Sequence, residues 1–270
     1  MNIHVLLDHM WQHYLQLNPR VREIHQLFAD LNGGQVINDH IALRTFNHER
    51  LGIDRIALPF IANGYYCGGE YEFSDKKLYA KHFQHDDLSL PKVFISELLV
   101  EQLSLPTQQI IHRLIGQIDF QRVSDDEFCY SGRPWVVSYT DYLQLLEESE
   151  YAAWMAAFGY RPNHFTVLVN ALESHQSLEE VNQLLLQHGH ALNDSGGLIK
   201  GSQEVFLEQS STLANKVLVQ FNDRDVEIPS CFYEFAYRYP QPDGSLYQGF
   251  VTSSADKIFE STDADNTNVA

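Results

Sequence analysis

Residues 161–170, RPNHFTVLVN, and the stretch SLEEVNQLLLQHGH at 177–190 decide how this chain is read. The first alternates: His164, Thr166 and Leu168 fall on one side of an extended strand, and Phe165, Val167 and Val169 on the other. The second is an amphipathic helix, with Ser177 placed to cap its first turn and Glu180 three residues on. GLIKGS (197–202), EVFLEQSS (204–211), KVLVQF (216–221) and SCFYEFAYRY (230–239) then read as strands. A strand, a helix and a run of strands is the βαβββ order used by mostly antiparallel α+β modules.

Upstream, Leu6, Leu7, Met10, Trp11, Tyr14 and Leu17 form a helical stripe that ends at Asn18 and Pro19. Val21, Ile24, Leu27, Phe28 and Leu31 form a second, which stops at Gly33 and Gly34. NDHIALRTF (38–46) is a strand with His40, Ala42 and Arg44 on one face. Residues 53–83, rich in aromatics and glycine, predict loops and strands, and PKVFISELL (91–99) predicts a strand running into a helix. Ile110, Ile111, Leu114 and Ile115 mark another helix; 133–159 predicts a short strand and further helix. The expected organisation is one catalytic unit over 1–262, with no sequence repeat visible between its halves. It comprises N-terminal helices at 3–32, a strand-rich core at 35–100, a helical segment at 104–158 and a second sheet module at 160–259. The polar, acidic tail 263–270 is expected to be disordered.

At 270 residues and 44% hydrophobic, the chain can bury a substantial core. A net charge of −18, with no cluster among its 18 Lys and Arg, argues against nucleic acid as a partner. Cys67, Cys129 and Cys231 are odd in number and widely spaced, which indicates neither a disulfide framework nor a cysteine zinc site and suits a reducing, cytoplasmic setting. The N-terminus lacks a signal-peptide pattern, and no apolar run is long enough for a membrane helix.

Three strands each place one metal-competent residue among apolar neighbours: His40, His164 and Glu234. A carboxylate among aromatics is costly without a partner, and two imidazoles with one carboxylate are the facial-triad set that holds Fe(II) with positions left open. Their wide separation in sequence carries no spacing signature. Each has a structural alternative: a hydrogen-bonded histidine, a Glu234–Arg238 pair along one strand face, an Arg44 ion pair. His82, His85 and Asp86 form a tighter rival cluster. His9 and His13 lack an HExxH context and suit a solvated helix face. His188 and His190 complement a helix C-terminus, and Cys231 reads as packing.

DHIALRTF, YRPNHFT, IKGS, LEQSST, IPSCFYEFAYRY and YQGFVTSSADKIFEST occur in that order over nearly the whole chain. Together they resemble the 2-oxoadipate dioxygenase/decarboxylase family. The resemblance implies vicinal-oxygen-chelate-like βαβββ modules, a mostly antiparallel curved sheet around one metal, and flanking helices. It further implies an Fe(II) enzyme of lysine catabolism that converts 2-oxoadipate and O₂ to 2-hydroxyglutarate and CO₂, both oxygen atoms entering one product. By the same resemblance, His40, His164 and Glu234 are the metal ligands, Arg44 holds a substrate carboxylate through its planar fork of donors, and Ser253 and Ser254 line the pocket. Two other readings stand beside it. One is a metal-dependent isomerase or hydrolase on the same scaffold; the other is a non-catalytic binder of small acids.

Overall fold

The computed structural model describes residues 1–122 and 126–262. Helices α1 (Ile3–Leu17) and α2 (Pro19–Leu31) lead into β1 (Asn38–Phe46), as the stripes predict. Asn2 caps α1 by accepting from the His4 amide, and Pro19 starts α2, where no amide donor is needed. Past the α2 C-cap, Gly33 and Gly34 adopt positive φ, and the Gly34 amide reaches back to the Ala29 carbonyl to close the helix end.

Two short helices, α3 (Ile53–Ile56) and α4 (Leu58–Ile61), occupy part of the stretch expected to hold only loops and strands. Then come β2 (Tyr66–Phe73), β3 (Leu78–Gln84) and β4 (Lys92–Leu98). Helices α5 (Leu105–Ile115), α6 (Tyr139–Glu148) and α7 (Glu150–Phe158) follow. Residues 133–138 do not form the expected strand. The segment is held by the Trp135 indole, which donates to the Ala156 carbonyl (2.9 Å), and by the Asn222 amide, which donates to the Val137 carbonyl. Every residue of α7 from Tyr151 to Phe158 is buried, so this helix runs through the core rather than along its surface.

The second half holds β5 (Pro162–Leu168), α8 (Leu178–Gln187), β6 (Lys200–Ser202), β7 (Leu207–Ser211), β8 (Lys216–Gln220), β9 (Asp225–Pro229), β10 (Phe232–Arg238) and α9 (Thr252–Phe259). Ser177 accepts from the Glu180 amide as expected, while the Glu180 carboxylate accepts from the Gln176 amide. KVLVQF is a strand, as expected, and β8 pairs with β9 in a separate two-stranded ribbon rather than with the main sheet. EVFLEQSS is extended only from Leu207: residues 203–205 form a 3₁₀ turn that ends with Phe206 in a left-handed conformation.

The main sheet has the order β2-β3-β4-β1-β5-β10-β7-β6. In the first half β1 pairs with β4 in parallel and the remaining neighbours are antiparallel; in the second half β5 and β10 repeat that arrangement. The two βαβββ units therefore meet back to back through an antiparallel β1–β5 contact, an internal duplication that the residues themselves did not show. Eight strands laid flat would span about 34 Å, whereas α9, eight residues long, measures about 12 Å. Yet α9 packs against β2 at one end of the sheet and β6 and β7 at the other, so the sheet curls into a half-barrel with α9 across its mouth. Ile41, Phe165, Val167, Tyr233 and Phe235 face the convex side, where Trp11 and Tyr14 of α1 and Phe28 of α2 pack on them. The alternate residues face the bowl. The expected tail, 263–270, lies outside the described residues.

Candidate metal centre

His40, His164 and Glu234 come from β1, β5 and β10, three adjacent strands. The pairing register explains why they meet. Thr166 lies directly opposite His40 on one side and Glu234 on the other, so His40, Thr166 and Glu234 form a row across the sheet on one face. His164, two residues before Thr166, shares that face and completes a triangle. Their ligand atoms all lie within 4.8 Å of one another, and all three residues are buried. His164 Nε2 stands 3.2 Å from Glu234 Oε2, and His40 Nε2 stands 3.6 Å from Glu234 Oε1.

The surroundings prepare both imidazoles. His40 Nδ1 contacts Asp39 Oδ1 at 2.8 Å and His164 Nδ1 contacts Asn163 Oδ1 at 3.0 Å. Each acceptor draws the ring proton to Nδ1 and leaves the Nε2 lone pair facing the bowl, the arrangement of metal-ligating histidines. Burial, reinforced by the charges of His40 and Arg44, holds the His164 pKa well below its ordinary value and keeps it neutral. Burial raises the Glu234 carboxyl, against the opposing pull of His40 and of the Gln209 hydrogen bond. Gln209 Nε2 donates to Glu234 Oε1 at 2.6 Å, while Glu234 Oε2 is buried without a hydrogen-bond partner. A fully buried carboxylate with an orphaned oxygen, facing two imidazole nitrogens, is expensive as it stands. A divalent cation among these donors removes that expense, so the residues fit a metal ion.

Glu234 does not pair with Arg238, the structural alternative read from the strand. Arg238 instead forks onto Asp39, with Nε to Oδ2 at 2.5 Å and Nη2 to Oδ1 at 2.8 Å. Its Nη1 donates to the Tyr247 and Gly249 carbonyls, which fixes the segment carrying Phe250. The Phe250 ring stands edge-on to His40, 4.8 Å between centroids. Phe94, Gln209, Phe250, Ala255, Ile258 and Phe259 wall the cavity around the three ligands.

Arg44 is not among the residues around this cavity; it is buried between the Tyr151 and Trp154 rings at 4.8 and 4.9 Å, with Phe259 of the cavity wall 5.8 Å away. It contacts Glu150 (3.3 Å) and Thr262 (3.3 Å), and its Nε is buried without a partner. The ion pair weighed from sequence is thus present, but it does not exhaust the guanidinium. Ser253 and Ser254 are not among the residues around the cavity. They lie in the helix α9, whose 3.6-residue period turns Ala255, Ile258 and Phe259 inward; Ser253 is exposed and Ser254 packs near Gly201.

The rival cluster separates. His82 is buried between Tyr71 (2.8 Å) and Gln84 (3.3 Å), and burial drops its pKa to about 4. His85 accepts from the Asp87 amide and packs on Tyr65. His9 and His13 both contact Tyr130, and His188 approaches the Leu184 carbonyl at the end of α8. Cys231 is buried, as read. Among the described residues, His40, His164 and Glu234 form the one group of its kind able to hold a metal ion. Sequence reasoning missed Asp39, Asn163, Gln209 and Arg238. A signal for the first two was present: each ligand histidine directly follows a side-chain acceptor, in NDH and in PNH.

Two βαβββ modules in a fold similar to that of vicinal-oxygen-chelate proteins bring two histidines and a glutamate together in the bowl, a donor set able to hold one metal ion. The chain belongs to the 2-oxoadipate dioxygenase/decarboxylase family, whose model matches residues 6–124 and 127–244. A chloroplastic 2-oxoadipate dioxygenase/decarboxylase of Arabidopsis thaliana is 35% identical over 95% of this chain and 76% of its own length. The crystal structure of hydroxyglutarate synthase from Oryza sativa in complex with 2-oxoadipate is 34% identical, with a TM-score of 0.89 over 97% of this chain and 92% of its own. A crystal structure from Shewanella frigidimarina, provisionally named a hydrolase, is 54% identical, with a TM-score of 0.90 over 93% and 98% of the two chains.

Proposed function

We propose that this chain is an Fe(II)-dependent enzyme that converts 2-oxoadipate and O₂ to 2-hydroxyglutarate and CO₂. The observation that carries the reading is the buried His40, His164 and Glu234 triangle with its orphaned carboxylate oxygen, in a member of this family. Iron bound there supplies the redox chemistry and open positions for a 2-oxo acid and O₂. The chain supplies the rest. Asp39 and Asn163 orient the imidazoles, and Gln209 holds Glu234 against rotation. Phe94, Phe250, Ile258 and Phe259 keep water from the reacting carbons. Arg44 offers a guanidinium edge to a substrate carboxylate, in exchange for part of its contact with Glu150. The proposal includes a reducing, cytoplasmic setting, consistent with three unpaired cysteines, and a role in lysine breakdown.

The provisional name of the Shewanella frigidimarina relative favours one other reading, hydrolysis with a redox-inert metal on the same triangle. One experiment separates the two. Protein loaded anaerobically with Fe(II) and mixed with 2-oxoadipate and O₂ should consume one O₂ and release one CO₂ for each 2-hydroxyglutarate formed. Absence of oxygen uptake by iron-loaded protein, with activity restored by Zn²⁺ or Mn²⁺, would reject the dioxygenase.

A further inference from the structure

His85 and Asp86, left over from the rival cluster, line a second cavity that also holds a cation nothing described so far uses. This cavity, of about 320 Å³, opens at the end of the sheet where β1 and β4 begin and β5 and β10 finish, and it shares no lining residue with the metal cavity. Lys92, the first residue of β4, lines it half-buried and lies directly opposite His40 in the β1–β4 pairing. Lys76, Lys77, Lys81 and Lys257 each contact a carboxylate. Lys92 makes no hydrogen bond or ion pair with any described residue; Asp39 and Arg238 act on it only through space. Burial lowers its pKa to about 8, which leaves it mostly protonated at pH 7. A half-buried ammonium with three free donors and no counter-ion, in a chain of net charge −18, is unfavourable until an anion completes it.

The rest of the cavity sets the kind of anion. Leu88, Leu90, Leu168 and Leu246 give it an apolar wall. Asp39 and Asp86, the two carboxylates on its lining, repel a second negative charge. One cation, an apolar wall and two fixed acids suit a monocarboxylic acid with a short apolar chain better than a dicarboxylic one. The cavity also touches what orients His40: the Asp39–Arg238 pair lies on its lining, and Asp39 Oδ1 contacts His40 Nδ1. The Lys92 charge acts against that of Asp39. An anion that neutralises Lys92 leaves the Asp39 carboxylate its full negative potential behind His40, which favours a divalent cation at the metal centre.

We propose that this cavity is an effector site for a short-chain monocarboxylic acid, with the carboxylate on Lys92 and the chain on the leucine wall, and that the bound acid tightens metal binding at the neighbouring centre. The proposal rests on the metal centre and not on the reaction carried out there. Hexanoate is the probe, titrated calorimetrically into the full-length protein, metal-free and anaerobically loaded with Fe(II). It should bind about tenfold or more tighter than adipate, and roughly two- to tenfold tighter in the Fe(II) form, with Fe(II) affinity rising by the same factor in saturating hexanoate. Lys92→Met should weaken hexanoate about tenfold or more and abolish its effect on Fe(II), while Lys92→Arg should keep both. Leu88→Asp, at a position 76% exposed, should also weaken hexanoate and serves if the Met variant does not fold. Absence of hexanoate binding, binding unchanged by Lys92→Met or Leu88→Asp, adipate bound as tightly as hexanoate, or an Fe(II) affinity indifferent to hexanoate would each overturn the proposal. Protein that binds hexanoate in this way but fails to turn over 2-oxoadipate with O₂ would refute the proposed function and uphold this site.

Discussion

Replacing Arg238 with Met tests whether the structure behind His40 sets the metal site. Arg238 is 1% exposed and makes four polar contacts: two to Asp39 at 2.5 and 2.8 Å, and one each to the carbonyls of Tyr247 and Gly249 at 2.9 and 2.8 Å. Burial by itself would raise the Asp39 carboxyl; the neighbouring Arg238 charge overcomes this and holds it well below the usual carboxylate range. Removing one partner of such a pair leaves an uncompensated buried charge, which costs about 3–5 kcal/mol. At this chain length that corresponds to a fall of roughly 6–20 °C in Tm. His40 then faces an acceptor that protonates or shifts, so Fe(II) affinity should drop about 10- to 100-fold. The double variant Asp39→Asn with Arg238→Met removes both charges and keeps an acceptor for His40 Nδ1. It should be more stable than the sum of the single losses by about 2 kcal/mol or more. Thermal melts of metal-free protein and anaerobic Fe(II) titrations supply the numbers. A single variant melting within about 2 °C of wild type with unchanged affinity, or strictly additive losses in the double variant, would refute the argument.

His40→Ala, His164→Ala and Glu234→Ala should each stay folded and lose most of their iron on dialysis; stoichiometric iron in all three would reject the triangle as the metal site. Arg44→Lys should lower kcat/KM for 2-oxoadipate roughly 30- to 150-fold with iron content unchanged. Because Arg44 is stacked between Tyr151 and Trp154, Tm should fall as well, and a lower Tm with wild-type kinetics would make the residue purely structural. Partial burial pushes the Glu148 carboxyl up, but hydrogen bonds from Ser104, Thr107 and Lys77 outweigh it and hold the pKa at about 2. Its folded value lies below its unfolded one, so its contribution is complete above about pH 4.5 and lost as pH falls through about 2. Glu148→Gln should therefore lose less Tm than wild type between pH 7 and pH 2.5, and parallel acid limbs would contradict this.

The helices α1, α2 and α8 and the strands β1, β5 and β10 were legible in the sequence because their signals are local. A 3.6-residue stripe or a two-residue alternation is complete within a dozen residues, and so are the caps at Ser177 and Gly33. The same alternation placed His40, His164 and Glu234 each on a strand face, and the family resemblance joined them into one site. It could not say which strands pair. KVLVQF alternates as clearly as the sheet strands, yet it belongs to a separate ribbon. The duplicated module was invisible because a βαβββ unit needs apolar residues at matching positions rather than the same residues. Ser253 and Ser254, which the family resemblance set along the pocket, lie on a helix whose turn points Ile258 and Phe259 inward. Only tertiary structure brings Arg238 onto Asp39 across 199 residues, aligns His40 with Glu234 through Thr166, and sets Lys92 opposite His40. Side-chain direction is a property of a few consecutive dihedrals, which the sequence carries locally. Strand partners, register and the burial of charges depend on how distant segments share one curled sheet.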